Sequence, residues 1–392
     1  MKRFFLLVMC VCFSLWGMAQ PWTALATSSH RIDKNEVREL RFEIDNISFF
    51  RDNEYSSSLT KGYSLPGLWL QPKLTYAPLS KIRLELGLHA LIFNGANKYP
   101  CYVYHDIGTW KGSQYQDGAH LLPWFRAQAE FQHVSIVLGD IFGGENHGLG
   151  EVLWNHETNL SQDPEMGVQL LWDRPHLHAD TWVNWQSYIF EEATHQEAFT
   201  VGSCWDIQYG QEEKNTRWST PVQLLIQHRG GEQDTTSMGV QTICNFSLGE
   251  RMRWNAQRKH LHHVTAEANL LACYQQSGHL WPFDKGLAYH AAAEANLWDK
   301  LSFQGGVAHM PRHFVSLYGN PFFTTISQKN GQSYRKLTTA YVRTFYSHTF
   351  AKHYTLGAEA EAYQCWFAGK SEFNFSFGIY LRLNPTFLLK RW

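Results

Sequence analysis

Residues 82–93 read IRLELGLHALIF, and apolar and polar side chains alternate along this stretch. Leu84, Leu86 and Leu88 share one side of the segment, whereas Arg83 and Glu85 share the other. Successive side chains of an extended strand point to opposite faces, so the pattern predicts a strand with one apolar and one polar face. A helix is not favoured, because its apolar side chains recur every three or four residues.

The same alternation recurs from about residue 37 to the end of the chain. It predicts sixteen strands, most of them roughly 10 to 14 residues long, whereas strands of soluble proteins average about 5 to 6 residues. The predicted strands cover 37–48, 66–77, 82–93, 121–132, 134–142, 166–173, 177–190, 197–209, 219–229, 236–248, 261–274, 287–298, 301–310, 335–346, 354–366 and 372–384.

The connections between these strands differ in length on the two sides. The long ones include 49–65, 94–120, 143–165 and 311–334, and the short ones include 78–81, 133, 174–176 and 299–300. Such asymmetry is typical of a membrane-spanning barrel with short periplasmic turns and long extracellular loops. One exception is the predicted inner turn 249–260, which is long and basic, with Arg251, Arg253, Arg258 and Lys259.

Composition narrows the function classes. The formal net charge is -1, which gives no basis for a nucleic-acid partner. Aromatic residues make up 15% of the chain and charged residues 18%, which excludes general disorder. Beyond the first 20 residues the sequence has no apolar run of about 18 residues that could cross a bilayer as a helix.

The apolar faces are predicted to contact lipid. They use Ala freely, as at Ala291, Ala293 and Ala295, and lipid needs no close shape complementarity. Open strand edges in lipid leave unpaired backbone groups, so the sheet must close into a barrel. Aromatic residues at the strand ends are expected to form an outer rim (Trp69, Tyr188, Phe190, Tyr274, Tyr289, Phe373) and an inner rim (Trp172, Trp298, Tyr346, Tyr354).

The N-terminus has the pattern of a signal peptide. Lys2 and Arg3 precede an apolar stretch and the small-x-small site Gly17–Ala19. We therefore predict a signal peptide over 1–19, a periplasmic segment over 20–36 and a barrel over 37–392. The five later cysteines lack disulfide or zinc spacing, and we interpret them as small apolar residues: Cys101, Cys204, Cys244, Cys273 and Cys365.

Over nearly its whole mature length the chain resembles Gram-negative outer-membrane β-barrel proteins of the porin-like type. The resemblance rests on the N-terminal signal, the alternating segments, the loop asymmetry and the last strand from Phe373 to Leu383. It implies an all-β fold, a closed antiparallel barrel of about sixteen strands in the outer membrane, often oligomeric and passing small solutes. Such proteins usually end on an aromatic residue of the last strand, whereas here Pro385 and seven more residues follow it.

A barrel of sixteen strands is wide enough for water, so the polar faces are expected to line a hydrated lumen. The lumen wall is predicted to contain both signs of charge, at Arg83, Glu85, Arg126, Glu130, Glu267, Glu294, Arg343, Glu359, Glu361 and Arg382.

The third outer loop, predicted over 143–165, contains five acids and no Lys or Arg. In the proteins it resembles, this loop often folds inward, and an acidic constriction would favour cations. The expected constriction residues are Glu145, Glu151, Glu157, Asp163 and Glu165. The alternative is an acidic surface loop that keeps the rim soluble or binds divalent ions.

The second outer loop, predicted over 94–120, is rich in aromatic rings. These rings could stack on solutes such as sugars, or they could form a small core within the loop. The residues concerned are Tyr99, Tyr102, Tyr104, Trp110 and Tyr115.

Signals of catalysis are weak in this sequence. The pattern G-x-S-x-G is absent, and neither the pair His176 and His178 nor the pair Glu359 and Glu361 has a third partner at readable spacing. We therefore predict no catalytic residues, no metal and no cofactor. The predicted function is a passive channel for small hydrophilic solutes in contact with outer-membrane lipid, weakly cation-selective and able to form homo-oligomers. The alternatives are a surface-binding or partner-docking barrel and a barrel enzyme, either a lipid hydrolase or a protease.

Overall fold

The computed structural model describes residues 22–94, 118–189, 196–210, 215–231, 239–256 and 258–392. Within these ranges, seventeen strands form one antiparallel sheet, and β1 pairs with β2 on one side and with β16 and β17 on the other. The sheet is therefore closed, as predicted. The strands are β1 Glu39–Ser56, β2 Lys61–Leu79, β3 Ile82–Phe93, β4 Gly118–Glu130, β5 Val134–Asp140, β6 Met166–Arg174, β7 Leu177–Ser187, β8 Ala198–Tyr209, β9 Thr216–Arg229, β10 Gln241–Asn255, β11 Leu261–Ser277, β12 Lys285–Leu297, β13 Leu301–Arg312, β14 Leu337–Phe350, β15 Tyr354–Phe367, β16 Lys370–Leu383 and β17 Thr386–Arg391.

Helices are short in the described residues: α1 Thr23–Ala26, α2 Thr158–Ser161, and 3₁₀ turns at Lys34–Glu36, Gly144–His147 and Pro321–Phe323. None of these helices has the length and hydropathy needed to span a bilayer.

The barrel closes on a last strand that Pro385 interrupts. Asn46 of β1 pairs with Leu383 of β16, and Glu43 of β1 pairs with Thr386 of β17, so the two strands follow the same neighbour. The carbonyl of Pro385 accepts a hydrogen bond from the Ile44 N–H (3.1 Å), which preserves the ladder across the break. The ring of Trp392 lies 5.5 Å from that of Tyr76. The sequence therefore does end beside an aromatic rim, although a proline breaks the strand before it.

The structure corrects the predicted end of the first strand. β1 continues to Ser56, so most of the predicted loop 49–65 belongs to β1 and β2, which are joined by 57–60. The alternation was obscured because buried Phe49 points inward and the partly exposed Asp52 points outward. Arg51 therefore lies on the inner wall and not in a loop.

The prediction of a long basic inner turn over 249–260 is also wrong. β10 continues to Asn255, and only 256–260 connect it to β11. Arg251 lies on the inner face, where its guanidinium pairs with Asp206 (Nη1 to Oδ1, 3.3 Å) and with Glu267 (Nε to Oε2, 2.5 Å). The polar outward residue Glu250, which bonds the hydroxyl of Thr220 (2.7 Å), hides the period of two at this point.

The outer surface of the barrel is apolar. Leu84, Leu86 and Leu88 of β3 are exposed, whereas Glu85 and His89 of the same strand are buried on the inner face. Most rim aromatics that the sequence predicts are exposed or half-exposed on the outside, but Trp69 faces inward beside His89 (6.0 Å between ring centroids). Phe190 lies outside the described residues. The apolar surface is the one expected to contact lipid.

The expected hydrated lumen is instead filled over the described residues. The third outer loop, 141–165 in the structure, and the seventh outer loop, 313–336, fold inside the barrel. Their apolar side chains form a core with inward side chains of the wall. The wall charges are buried or half-buried there, and they are paired with protein groups. The core contains Ile141, Phe142, Leu149, Val152, Leu153, Trp154, Phe314, Val315, Tyr318, Phe322, Phe323 and Ile326 from the loops and Trp182, Leu225, Leu271, Tyr341 and Tyr363 from the wall.

The N-terminal segment, residues 22–36 of the described chain, is partly enclosed by the barrel. Trp22 and Leu25 are fully buried inside the barrel. Arg382 of β16 donates hydrogen bonds to the carbonyls of Leu25 and Thr27 (2.8 Å each). The segment lies in the interior of the barrel because its apolar side chains and backbone carbonyls have partners on the inner wall.

We expect Leu86→Arg to destabilise the barrel more than Leu79→Arg. Both leucines are outward and about equally exposed (63% and 58%), but Leu86 lies in the middle of β3 and Leu79 at the inner end of β2. Arginine costs about 2–4 kcal/mol at the bilayer midplane and about 0–1 kcal/mol near the interface. Urea unfolding of protein refolded in phosphatidylcholine vesicles measures both changes. Equal losses for the two variants would show that this surface does not contact lipid.

Candidate functional site

A buried arginine of the wall, Arg126, binds the start of the third outer loop. Arg126 of β4 donates hydrogen bonds to the carbonyls of Asp140 (2.5 Å) and Ile141 (3.0 Å), and its guanidinium lies 3.9 Å from the ring centre of Phe142. The side chain of Gln169 on β6 bonds both backbone groups of Phe142 (2.9 and 3.0 Å). These contacts turn the chain inward directly after β5.

All five acids predicted as a constriction lie inside the barrel on this loop, and each has a partner of opposite or potentially opposite charge. Glu145, Glu151, Glu157 and Glu165 are buried, and Asp163 is partly buried. The pairs are Glu145 with His156 (2.8 Å), Glu151 with Arg343, Glu157 with Arg51 (2.9 Å), Asp163 with His120 (2.8 Å) and Glu165 with His147 (3.2 Å). The acids thus attach the loop to the wall and to itself.

The strongest attachment is a cluster of six charges, which we call the central ion-pair cluster: Arg51, Arg343, Glu151, Glu157, Glu359 and Glu361. Glu151 and Glu157 belong to the loop, and the other four belong to β1, β14 and β15. Arg51 bonds Glu359 at 2.7 Å and also bonds Glu361, which in turn bonds Arg343. Removing one partner from such a buried network typically costs about 3–5 kcal/mol, because a charge is left unpaired.

Neutral side chains complete this cluster. Asn320 of the seventh outer loop donates to Glu151 (2.7 Å), and Asn53 of β1 donates to Glu157 (2.7 Å). The hydroxyl of Tyr380 donates to Glu359 (3.0 Å). Both inward loops therefore meet the wall at the same polar centre.

The N-terminal segment reaches the same centre through Trp22. Its indole N–H donates to Glu359 Oε1 (3.0 Å), and its ring stacks on His156 of the third outer loop (6.1 Å between centroids). The backbone N–H of Ser28 donates to Asn146 of that loop (2.9 Å). Three segments of the chain therefore converge on the wall carboxylate Glu359 and its neighbours.

His147 forms a second attachment of the third outer loop. Its ring lies flat on Trp182 of β7, with centroids 3.5 Å apart, and bonds Asp180 (2.7 Å) and Glu165 (3.2 Å). Gly202 on β8 leaves room for Trp182, because a Cβ there would lie 2.1 Å from the ring. Burial alone would lower the pKa of His147, but the two carboxylates outweigh it and raise the pKa to about 9.

His156 and Glu165 show the same balance in the loop. Burial opposes the charge of His156, but Glu145 raises its pKa above the ordinary value. Burial likewise opposes the charge of Glu165, whereas His147 and the N–H of Gly144 lower its pKa. Both pKa shifts favour the charged form of the group, His156 as a cation and Glu165 as an anion.

The other predicted wall residues also lie on the inner face. Glu85 pairs with Arg83 (3.0 Å) and Arg126 (3.5 Å), and Arg382 pairs with Asp45 (2.8 Å). Glu130 accepts a hydrogen bond from the Ile32 N–H (2.9 Å). Glu267 pairs with Arg251. Glu294 accepts a hydrogen bond from Ser302 (3.1 Å).

Sequence reasoning missed Arg51, Trp22, Asn320 and His147 as members of the site. Arg51 and Asn320 stand in segments predicted to be loops, and Trp22 precedes the first predicted strand. The loop histidines carried a usable signal, since His147 and His156 alternate with the acids of the third outer loop. The predicted stacking residues Tyr99, Tyr102, Tyr104, Trp110 and Tyr115 lie outside the described residues.

The remaining space near the third outer loop is small. A cavity of about 10 Å³ lies between Glu165, Trp182 and Tyr318, which is room for about one water molecule. The described residues contain no group of three or more His, Cys, Asp or Glu arranged to hold a metal. Three described histidines bond a hydroxyl: His228 bonds Thr242, His290 bonds Tyr341 and His309 bonds Thr338. Other histidines, such as His147, His156 and His178, bond carboxylates.

Comparison with solved structures finds the same architecture in outer-membrane proteins. OpdK of Pseudomonas aeruginosa, solved with vanillate, is 10% identical with a TM-score of 0.52 over 90% of this chain and 100% of its own. OmpT of Vibrio cholerae, an outer membrane protein solved as a loop L8 deletion mutant, is 10% identical with a TM-score of 0.50 over 88% and 99%. A BenF-like porin from Pseudomonas fluorescens Pf-5 is 7% identical with a TM-score of 0.50 over 89% and 100%.

These likenesses support the predicted porin-like architecture. They confirm the closed antiparallel β-barrel that the sequence predicts. A search of curated protein sequences finds no match. Residues 32–392 match the family model described as Lipid A 3'-O-deacylase-type.

We expect His147→Gln to lower stability at pH 6 and to have a smaller effect above pH 9. A histidine whose pKa is raised from 6.5 to about 9 stabilises the fold fully below pH 6.5, and this contribution is lost as the pH rises through about 9. The expected loss is on the order of 2–3 kcal/mol at low pH. Thermal unfolding in detergent between pH 6 and pH 10 measures it.

The matched control for this experiment is His279→Gln in an outer loop, where the ring is exposed and its carboxylate partner Asp284 is exposed too. This control should behave like the wild type throughout the range. A wild-type-to-variant difference for His147 that stays constant from pH 6 to pH 10 would contradict the assignment.

Proposed function

The chain belongs to the lipid A 3'-O-deacylase-type family, and from that premise and its porin-like fold we propose that it is an outer-membrane channel for small hydrophilic solutes, seen with its lumen closed. The observation that carries the proposal is the polar attachment of the segments that fill the lumen, which are the third and seventh outer loops and the N-terminal segment. The central ion-pair cluster and the histidine pairs bind them through polar, reversible contacts.

The inner wall supports this proposal. Its strands present charged and polar side chains to the interior, as the strands of water-filled transmembrane barrels do. A barrel of this width holds water once its loops are withdrawn. Polar groups of the wall that lose their loop partners can then be solvated by that water, which offsets the lost contacts.

The proposed opening is a movement of the third outer loop away from the wall. The loop contributes Glu151 and Glu157 to the central ion-pair cluster. Its withdrawal leaves Arg51 and Arg343 with Glu359 and Glu361 on the wall, while Glu151 and Glu157 move with the loop to the opposite side of the opened passage. The four carboxylates outnumber the two guanidinium groups, so we propose weak cation selectivity in the open state.

Two further parts of this proposal concern partners. The apolar outer surface suits outer-membrane lipid, and the proposed solutes are small and hydrophilic because the passage is polar and narrow. Homo-oligomerisation is also proposed, as the porin-like resemblance implies. Cross-linking of the refolded protein in membranes tests it.

We expect the double variant Glu151→Gln and Glu157→Gln to raise the open probability of single channels at least about fivefold. Each substitution removes a charge that ties the loop to Arg343 or Arg51, and contacts of this kind contribute over 1 kcal/mol each. Planar-bilayer recordings of refolded protein measure the change. In a salt gradient the wild-type openings should favour cations, and the variant should favour them less.

The matched control is Glu267→Gln, which breaks the Arg251–Glu267 pair between two wall strands and touches neither inward loop. It should leave the open probability unchanged. Absence of any conductance from wild type and double variant alike would contradict the channel. Anion preference, or no shift in reversal potential on neutralising Glu145, Glu151 and Glu157, would contradict the proposed selectivity.

The second candidate function is the hydrolysis of ester-linked acyl chains of lipid A. The observation that favours it is the family match over 32–392. Against it, His228, His290 and His309 bond hydroxyls but have no hydrogen-bonded carboxylate in the part of the chain that the structure describes, so none of them completes a hydroxyl–histidine–carboxylate triad there.

For a channel without hydrolase activity, we expect lipid A to keep all of its acyl chains after incubation with the refolded protein. Mass spectrometry of the extracted lipid A, with and without divalent cations, measures this. The heat-denatured protein serves as the blank. Loss of one 3'-linked acyl chain that depends on the folded protein would establish the second candidate and not exclude the first.

A further inference from the structure

An open pocket of about 510 Å³ lies at the outer mouth of the barrel. It is formed by the connection between β1 and β2, the start of β16 and the seventh outer loop. Its volume falls within the range of about 300–1,000 Å³ that is usual for small-molecule sites. The lining side chains that matter here are Tyr55, Ser56, Ser58, Lys61, Lys329 and Glu372.

The carboxylate of this pocket, Glu372 of β16, is already hydrogen-bonded to the connection between β1 and β2. Glu372 accepts hydrogen bonds from the Ser57 hydroxyl (2.7 Å), the Ser58 N–H (2.9 Å) and the Ser58 hydroxyl (2.7 Å). Lys370 donates to the same Ser58 hydroxyl (3.3 Å). Glu372 therefore holds the β1–β2 connection against the start of β16, and its single negative charge is outnumbered at this mouth by the ammonium groups of Lys61, Lys329 and Lys370.

The two lysines of the pocket, unlike Glu372, have side chains that are available to a ligand. Lys61 and Lys329 are exposed, and neither ammonium group has an ion pair or hydrogen bond with the described residues. The seventh outer loop contains three basic residues, Lys329, Arg335 and Lys336, and no Asp or Glu. A mouth with this charge attracts anions and orients them toward the pocket.

Neutral groups add a second kind of contact. Ser56 and Tyr55 line the pocket at the end of β1, and the Tyr55 ring is fixed by an edge contact with Phe322 of the seventh outer loop (4.9 Å). A pocket that is bordered by both a hydroxyl and an aromatic ring suits a hydroxyl-bearing ring better than a bare inorganic ion.

We propose that this pocket binds a phosphate monoester of a sugar. The phosphate lies between Lys61 and Lys329, and the sugar lies against Tyr55 and the hydroxyl of Ser56. The same chemistry occurs in a free sugar phosphate and in the phosphorylated headgroup of an outer-leaflet glycolipid. The proposal concerns binding at the mouth and does not depend on whether the lumen conducts.

The pocket is joined to the segments that close the lumen. The carbonyl of Ser58 accepts a hydrogen bond from the Ser327 hydroxyl (2.8 Å), and the carbonyl of Leu59 accepts one from the Gln328 N–H (2.7 Å). A ligand between Lys61 and Lys329 therefore bridges the β1–β2 connection and the seventh outer loop. Bound ligand should raise the unfolding temperature of the protein.

The test is isothermal titration calorimetry of the full chain in nanodiscs that lack lipopolysaccharide, at low salt. We expect glucose 6-phosphate to bind, inorganic phosphate to bind more weakly and glucose not to bind measurably. The double variant Lys61→Gln and Lys329→Gln should lose at least about tenfold in affinity, because two charge-assisted contacts are removed. Lys61→Gln alone provides a second, milder variant.

The matched control is Arg335→Gln with Lys336→Gln, which also removes two positive charges, both from the seventh outer loop but outside the pocket, and should change affinity by about twofold or less. Adding lipopolysaccharide to the nanodiscs distinguishes the sources: if it abolishes glucose 6-phosphate binding, the glycolipid headgroup is the occupant, and if it does not, the free solute is. No binding by the wild type, or equal affinity in the pocket variant, would overturn the site. Equal affinity for inorganic phosphate would overturn the sugar part.

Discussion

The closure of the sheet is the constraint on which the rest of this structure depends. In hydrocarbon each backbone N–H and C=O must find a partner within the protein, and the pairing of β1 with β16 and β17 provides it for the edge strands. Closing this many strands leaves an interior wider than the wall side chains can fill. The two inward loops and the N-terminal segment occupy that interior, so the width of the barrel and the presence of the closing segments are linked.

What holds those segments decides how the interior can behave. An apolar core forms between the two loops and the wall, but the contacts nearest the centre are ionic, with Arg51 and Arg343 shared between loop and wall carboxylates. Buried ion pairs contribute little net stability compared with apolar packing, yet they fix one arrangement because each misplaced charge is costly. The interior is thus specific in geometry and moderate in strength, as a closed state that can open requires.

Much of the fold could be predicted from the sequence because lipid outside and polar groups inside impose a period of two. That period placed β3 at the same bounds as the structure and located the loop asymmetry. The period of two did not predict the strands where an inward residue is apolar or an outward residue is polar. Near Arg51, Phe49 points inward to a buried core. On β10, Glu250 is a polar residue on the outer face. The sequence indicated an acidic third loop, but the partners of its acids, such as Arg51, come from segments up to hundreds of residues away, which local patterns cannot pair.

The position of Trp22 has a consequence for how the chain reaches this state. Its hydrogen bond to Glu359 joins residues 337 positions apart, one before the first strand and one on β15. Contacts of such separation form late, because the loop-closure entropy must be overcome before they contribute. We therefore expect the indole to take its place after β15 is in position, so that the earliest residues of the described chain acquire these native neighbours late.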